Sequence, residues 1–315
     1  NFNFGPINAD LHGIIKNSKI VIVEVNEKMP IALGYESHIN ISDINYIIEG
    51  ENPDLATIEH KSATEDDKRI SEFIVSQIGN NATVQLGVGA LPNCVGRMLA
   101  DSDIKEIGAH SEMLVDAYMD LYNAGILTNN KRTDKGLSVY TFAGGSKELY
   151  DFIDDNPICC SAPVDYVNNP ANIAKIDNFM SINGCIGIDL YGQVCSESVG
   201  FRNVSGTGGQ LDFVQGAFRS KGGKSFICCH STRKLKNGQK VSLIHPTLPP
   251  GSIVTTPRAA VNYVVTEYGA VNLKGKSTWQ RAEMLISIAH PDFRAELIKE
   301  AEKMGIWRNT SKITY

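Results

Sequence analysis

No stretch of this chain approaches the roughly 20 consecutive apolar residues of a membrane-spanning helix, and no basic region followed by an apolar core opens it. Neither a membrane partner nor export is expected. Metal-type C-x-x-C spacing is also missing. The seven cysteines (Cys94, Cys159, Cys160, Cys185, Cys195, Cys228 and Cys229) are odd in number, with two adjacent pairs. They read as reduced, mostly buried thiols of a cytoplasmic protein, with neither a disulfide framework nor a metal site. A basic surplus is lacking too: the net charge is −5, so nucleic acid is not expected as a partner. Internal repeats and low-complexity tracts are absent. What remains is an ordinary globular composition, 42% hydrophobic and 21% charged over 315 residues, long enough for two domains with sizeable cores.

The most informative segment runs from Thr83 to Met113. An apolar strand, TVQL, breaks into Gly87-Val88-Gly89-Ala90-Leu91-Pro92-Asn93, a helix follows, and a second strand-like run (Ile104 to His110) delivers His110-Ser111-Glu112-Met113. Gly87 and Gly89 remove Cβ atoms where strand becomes helix, so backbone N–H groups can approach an anion beside a helix N-terminus. If the two strands are parallel neighbours, Glu112 emerges at the same carboxyl edge, where open α/β sheets bind ligands. The turn does not match the nucleotide motifs. The third glycine of the dinucleotide fingerprint is missing, and no Gly-Lys-Ser/Thr ending follows. A G-x-G turn also serves as a plain strand-to-helix connection, and a glutamate opening a helix also serves merely to complement the helix dipole. Spacing alone leaves both readings open.

Along the rest of the chain, the Ile20 to Val25 run reads as a buried strand. The opening on Asn1 with no initiator methionine suggests that the beginning of a domain is absent. A polar stretch containing Pro53 places a boundary near Lys61, dividing residues 1–61 from 62–315. Thr64 with three acids behind it marks a helix start, and Ile70, Phe73, Ile74 and Ile78 recur at helical spacing. SEMLVDAYMDLYNAG reads as a core-facing helix closed by Gly125, its Met and Tyr stripe serving packing. LSVYTFAGG reads as a strand entering a second glycine turn, and NPICCSAPVDYVNNP as an irregular loop. SINGCIGIDL and QVCSESVG read as strands joined by Tyr191-Gly192. The run Ser205-Gly206-Thr207-Gly208-Gly209-Gln210 fits either a second anion nest or a flexible surface loop. Near the end Ser277 caps the first of two helical stretches split by Pro291, and Glu267 is a rival acid to Glu112. Helix, strand, glycine turn, helix is the grammar of a parallel α/β fold.

VQLGVGALPN, GAHSEMLVDAYMDL, SINGCIGIDLYGQV, SGTGGQLDF and VVTEYGAVNLKGKSTWQRAEMLISIAHPDFR, in this order over nearly the whole chain, resemble the acetyl-CoA hydrolase/transferase family. The resemblance implies two α/β domains of the phosphosugar-isomerase-like CoA-transferase type with the active site between them, the N-terminal domain being incomplete here, and a homo-oligomer. It also implies transfer of CoA from butyryl-CoA to acetate. Transfer to 4-hydroxybutyrate or another short acid, hydrolysis, and a non-catalytic CoA-binding module are the alternatives. Carried over residue by residue, the catalytic glutamate falls on Glu112, the first CoA loop on Gly87, Val88, Gly89, Ala90 and Leu91, and further CoA contacts on Gly187, Gly209 and Gln210. At Gly187 this chain departs from relatives that carry a glutamate. The implied partners are acyl-CoA and short-chain carboxylates. No cofactor is permanently bound, and coenzyme A is substrate and covalent intermediate.

Overall fold

A computed structural model describes residues 1–59, 62–87 and 89–306. The expected boundary at Lys61 and the loop residue Val88 lie outside the described residues. An eight-stranded sheet organises the chain: β1 (Thr83–Leu86), β2 (Gly108–Leu114), β3 (Ser138–Ala143), β4 (Cys159–Ser161), β5 (Phe179–Gly184), β6 (Lys224–Cys228), β7 (Tyr263–Thr266) and β8 (Gly269–Asn272). The spatial order is β8-β7-β6-β5-β1-β2-β3-β4. All neighbours are parallel except the β7–β8 hairpin. From β1 the chain builds outward through β4 on one side, then returns to build β5 to β7 on the other. The order therefore reverses between β1 and β5, and it is at such a reversal that an open α/β sheet leaves a crevice at its carboxyl edge.

Period-two alternation divides the strands between two faces. Val84, Leu86, Ala109, Tyr140, Ile182 and Phe226 point into one core, covered by α1 (Glu65–Val75), α2 (Ala90–Ala100), α3 (Asp116–Asn123) and α4 (Lys147–Ile153). Val139, Cys160 and Phe179 point the other way, toward Phe213 and Ala217 of α5 (Gln210–Arg219) and two short helices, Val164–Val167 and Pro170–Ile173. Fully burying each large apolar side chain contributes roughly 1.5–3 kcal/mol. The expected Thr64 N-cap is present as a full capping box with Asp67, and Ser277 forms another with Gln280. Gly125, at φ +73°, terminates α3 in the left-handed region as anticipated.

Three expectations are corrected. Strand β2 starts later than Ile104 and runs past His110 to Leu114, so Glu112 sits within a strand and the following helix starts only at Asp116. Glu106, at φ +63°, breaks any earlier extended run, and pairing with β3 holds the backbone extended through Leu114. The supposed irregular loop at 156–170 contains β4 and a short helix. The Ile20 to Val25 run does form a strand, Ile22–Val25, parallel to Tyr46–Glu49, yet Ile22 is 58% and Ile48 51% exposed. Other parts of the first 59 residues are laced onto the sheet: Ala143 N–H donates to Pro6 C=O at 2.7 Å, Tyr35 N–H to Ser161 C=O at 2.8 Å, and Ile58 N–H to Gly145 C=O at 2.9 Å.

Candidate functional site

Glu112 lies on β2 one alternation beyond His110, on the α5 face of the sheet. His110 is fully buried, its Nε2–H donating to Val167 C=O at 2.8 Å, and its ring packs edge-on against Phe179 and Phe213. Burial brings the imidazole down to about 4, so it stays neutral and acts as a wall. Beyond that wall the half-buried Glu112 side chain meets two donors. Gly209 N–H lies 3.1 Å from both Oε1 and Oε2, and Asn168 Nδ2 donates to Oε1 at 3.1 Å. Gly209 is the N-cap of α5 and its own side offers no capping group. The Glu112 carboxylate therefore accepts from the N-cap N–H, as the acid of a capping box does, at the positive end of the helix dipole. Asp212, in the first turn of α5, has its carboxyl raised above the usual range by burial and then by the Glu112 charge.

The exposed part of the Ser205 to Gly208 run leads into this cap, so the glycine run is a helix entry and not a free linker. Thr207 Oγ1 anchors it by donating to the buried Glu197 at 2.8 Å. Gly209 must lack a side chain, because a Cβ there would sit 2.9 Å from Glu112 Oε2. Gln210 follows, with Nε2 donating to Thr256 Oγ1 at 3.0 Å.

The other glycine turn lies across the sheet edge. Register places Leu86 beside Ile182 on β5, and hence Gly87 beside Asn183. Toward β2, Ser111 Oγ donates to Leu86 C=O at 3.2 Å, so the residues flanking Gly87 and Glu112 meet at the same edge. Beyond Val84 the strands β1 and β2 cease to pair. Tyr118 Oη takes up the gap, accepting from Leu86 N–H at 2.9 Å and donating to Val84 C=O at 3.1 Å. The front of Gly87 is open, since an added Cβ would touch nothing nearer than 3.9 Å. Gly89, at φ +124°, caps α2, with Ala90 and Leu91 in its first turn. Val88 lies outside the described residues.

The remaining sequence candidates divide. Gly187 stands apart, in a three-stranded sheet of Gly187–Asp189, Val194–Cys195 and Ile244–His245. The Tyr191-Gly192 hairpin is as anticipated, and a Cβ on Gly187 would lie 3.0 Å from His245 Nε2. The rival acid Glu267 caps a loop, accepting from Ser231 N–H at 2.8 Å and from Ser231 Oγ. It follows β7, four strands from β2, about 19 Å at the usual strand spacing. The glycine turn after β3 is closed by protein, because Asp116 accepts from Ser146 N–H and Oγ where a Gly145 side chain would have to go. Asn168 escaped the sequence reading. The only available signal was polarity at the end of a short apolar run.

A family model for the acetyl-CoA hydrolase/transferase C-terminal domain matches residues 145–301. The butyryl-CoA:acetate CoA-transferase of Anaerostipes caccae is 53% identical over 99% of this chain and 70% of its own length. The chain belongs to the acetyl-CoA hydrolase/transferase family. Another family member, the 4-hydroxybutyrate coenzyme A transferase of Clostridium kluyveri, is 47% identical over 96% of the chain and 69% of its own length. Among solved structures, RipA from Yersinia pestis superposes with a TM-score of 0.89 at 43% identity, covering 96% of this chain and 68% of that one. For this family member, among the described residues, no helix is long and apolar enough to cross a membrane.

Proposed function

We propose that the protein transfers CoA from butyryl-CoA to acetate in two half-reactions through a covalent adduct on Glu112. The observation that carries this reading is the carboxylate held between Gly209 N–H and the Asn168 amide at the positive end of α5. Its support from relatives is the 53% identity to a transferase of that name, against 47% for the 4-hydroxybutyrate enzyme.

The steps follow from what each group can do. A Glu112 oxygen attacks the thioester carbonyl carbon, and the C–S pair leaves as CoA thiolate, giving a mixed butyryl-glutamyl anhydride. The oxyanion on the thioester oxygen develops in front of the Gly87 turn, where the backbone N–H groups of that turn are read as its donors. One well-placed donor is typically worth about 3–4 kcal/mol. The thiolate then attacks the glutamyl carbonyl. In that step the negative charge develops on Glu112's own oxygen, which Gly209 and Asn168 already hold. Butyrate leaves and a glutamyl-CoA thioester remains, and acetate reverses both steps to yield acetyl-CoA. Binding of the remote CoA nucleotide keeps the thiolate at high effective concentration. Gly87 to Leu91, Gly187, Gly209 and Gln210 are read as the contacts along CoA.

The same reading treats residues 1–61 as the remainder of an N-terminal CoA-transferase domain, with 62–315 as the C-terminal domain and the site between two phosphosugar-isomerase-like units in a cytoplasmic homo-oligomer. Parallel strands are ordinarily covered on both faces. The exposed apolar side chains of the Ile22–Val25 and Tyr46–Glu49 pair support that arrangement. The test is to incubate the full-length protein with butyryl-CoA in the absence of acceptor and map the adduct by mass spectrometry. CoA is expected on Glu112, and Glu112→Gln is expected to form no adduct and no acetyl-CoA. An adduct elsewhere defeats the reading. Fast acyl-CoA loss without any carboxylate would make the protein a hydrolase, and CoA binding with no exchange would make it a binding module.

A further inference from the structure

Asn168, whose Nδ2 donates to Glu112, is the C-cap of a helix only four residues long, Val164–Val167. So short a helix does not hold itself, because its ordering entropy outweighs the bonds of one turn. It is held from outside. Val164 N–H donates to Ala9 C=O at 3.1 Å, Val167 C=O accepts from His110 Nε2–H at 2.8 Å, and Asn172 Nδ2 donates to Tyr166 C=O at 3.1 Å. From the helix itself Tyr166 Oη reaches Asp134, 3.0 Å from Oδ1 and 2.9 Å from Oδ2. Tyr35 Oη donates to the same carboxylate at 2.9 Å, and its ring lies edge-on to that of Tyr166 at 5.5 Å. Both phenols are raised, Tyr35 to about 12 by its bond to Asp134 and Tyr166 by burial and then by that bond, so each stays a donor. The turn that carries Asp134 is fixed in the same way, since buried Lys131 donates its Nζ to the C=O groups of Asp134 and Leu137.

We infer that Tyr166 is a positioning residue for the exchange on Glu112: clamped by Asp134, it sets where the Val164–Val167 turn ends and so keeps Asn168 Nδ2 on the glutamyl oxygen. Packing alone would be served as well by phenylalanine. What the hydroxyl adds is direction, because a bond to a carboxylate is both stronger and more geometrically exacting than ring contact. Tyr35 shares the same carboxylate, so the clamp joins the N-terminal segment to the helix that ends in Asn168. The inference rests on the proposed covalent role of Glu112 and adds what holds its amide partner in place.

A double-mutant cycle in the full-length protein tests it, reading single-turnover discharge of the Glu112 thioester by acetate together with KM for butyryl-CoA. Asn168→Ala removes the donor and should slow discharge about 100-fold. Tyr166→Phe keeps the ring and loses only the clamp, and it should slow discharge roughly 10-fold with KM changed less than about two-fold. The double variant should be no slower than Asn168→Ala within about three-fold, because Tyr166 acts only through that amide. Wild-type speed in Tyr166→Phe overturns the inference, as does full multiplication of the two losses, the signature of a generally loosened fold. Should Tyr166→Phe fail to fold, Asp134→Asn, which leaves one acceptor oxygen for two hydroxyls, replaces it in the same cycle with the same criteria. Wild-type speed in Asn168→Ala also overturns the inference while leaving Glu112 untouched, because adduct mapping on Glu112→Gln tests that residue separately.

Discussion

Adding one methyl group at Gly209 should disable the site without disturbing the fold. The backbone there, φ −76° and ψ 4°, is open to any L-residue, so Gly209→Ala carries no torsional penalty. Its Cβ would lie 2.9 Å from Glu112 Oε2 and 3.0 Å from Cδ, and closer still to Asn168 Nδ2. Both partners must move, and with them go the hydrogen bonds that Gly209 N–H and Asn168 make to the carboxylate. A hydrogen bond to a charged group contributes about 1.5–3 kcal/mol, or roughly 10- to 150-fold at 1.36 kcal/mol per decade. Shifting a nucleophile by about 1 Å has a comparable cost of about 100-fold. The expected result is a fall of about 100-fold in kcat/KM for acetyl-CoA formation from butyryl-CoA and acetate, with the thermal midpoint nearly unchanged. Gly208→Ala is the internal comparison, since its Cβ would meet Oε2 at an ordinary 3.8 Å and should cost no more than about three-fold. A folded Gly209→Ala protein with near-wild-type activity would refute the claim that Glu112 works from the α5 cap.

Asn168→Ala removes one donor from the glutamyl oxygen and should lower kcat about 100-fold, seen as slower discharge of the adduct in rapid-quench experiments. Tyr118→Phe strands the buried Leu86 N–H and should cost about 1–3 kcal/mol of stability, read from the urea midpoint. His110, held at about 4 by burial against an ordinary 6.5, favours the folded state only while neutral. Its contribution is complete above about pH 6.5 and is lost as pH falls toward 4, at up to about 1.4 kcal/mol per pH unit. His110→Phe should therefore show a shallower acid loss in urea titrations at pH 4 to 7, and parallel curves would contradict the assignment. Glu267→Gln should lose stability through its Ser231 contacts yet keep exchange activity within about three-fold, as expected of an acid four strands from the site.

Local chemistry was legible in the chain. Capping boxes at Thr64 and Ser277, the Gly125 terminator, the TVQL strand and its glycine turn all depend on residues within a few positions of one another, and period and propensity report such short-range terms directly. The end of β2 was not legible. Met113 and Leu114 fit a helical stripe as well as a strand, and the choice was made by hydrogen bonding to β3, some 29 positions away in register. The exposed Ile22–Val25 strand was misread for the same reason, since an apolar run states a preference for burial and not what covers it.

For the site, the sequence determined which groups are available: a carboxylate at Glu112, side-chain-free turns at Gly87 and Gly209, and an amide at Asn168. Tertiary structure alone decided that Gly209, 97 positions away, caps its helix with Glu112, that Asn168 turns its nitrogen to the same carboxylate, and that Glu267 is spent on Ser231. A carboxylate's reactivity depends on charges and donors within a few ångströms. Those neighbours are brought together by the reversal of strand order between β1 and β5 and by the packing of α5 across the sheet, neither of which any local run of residues encodes.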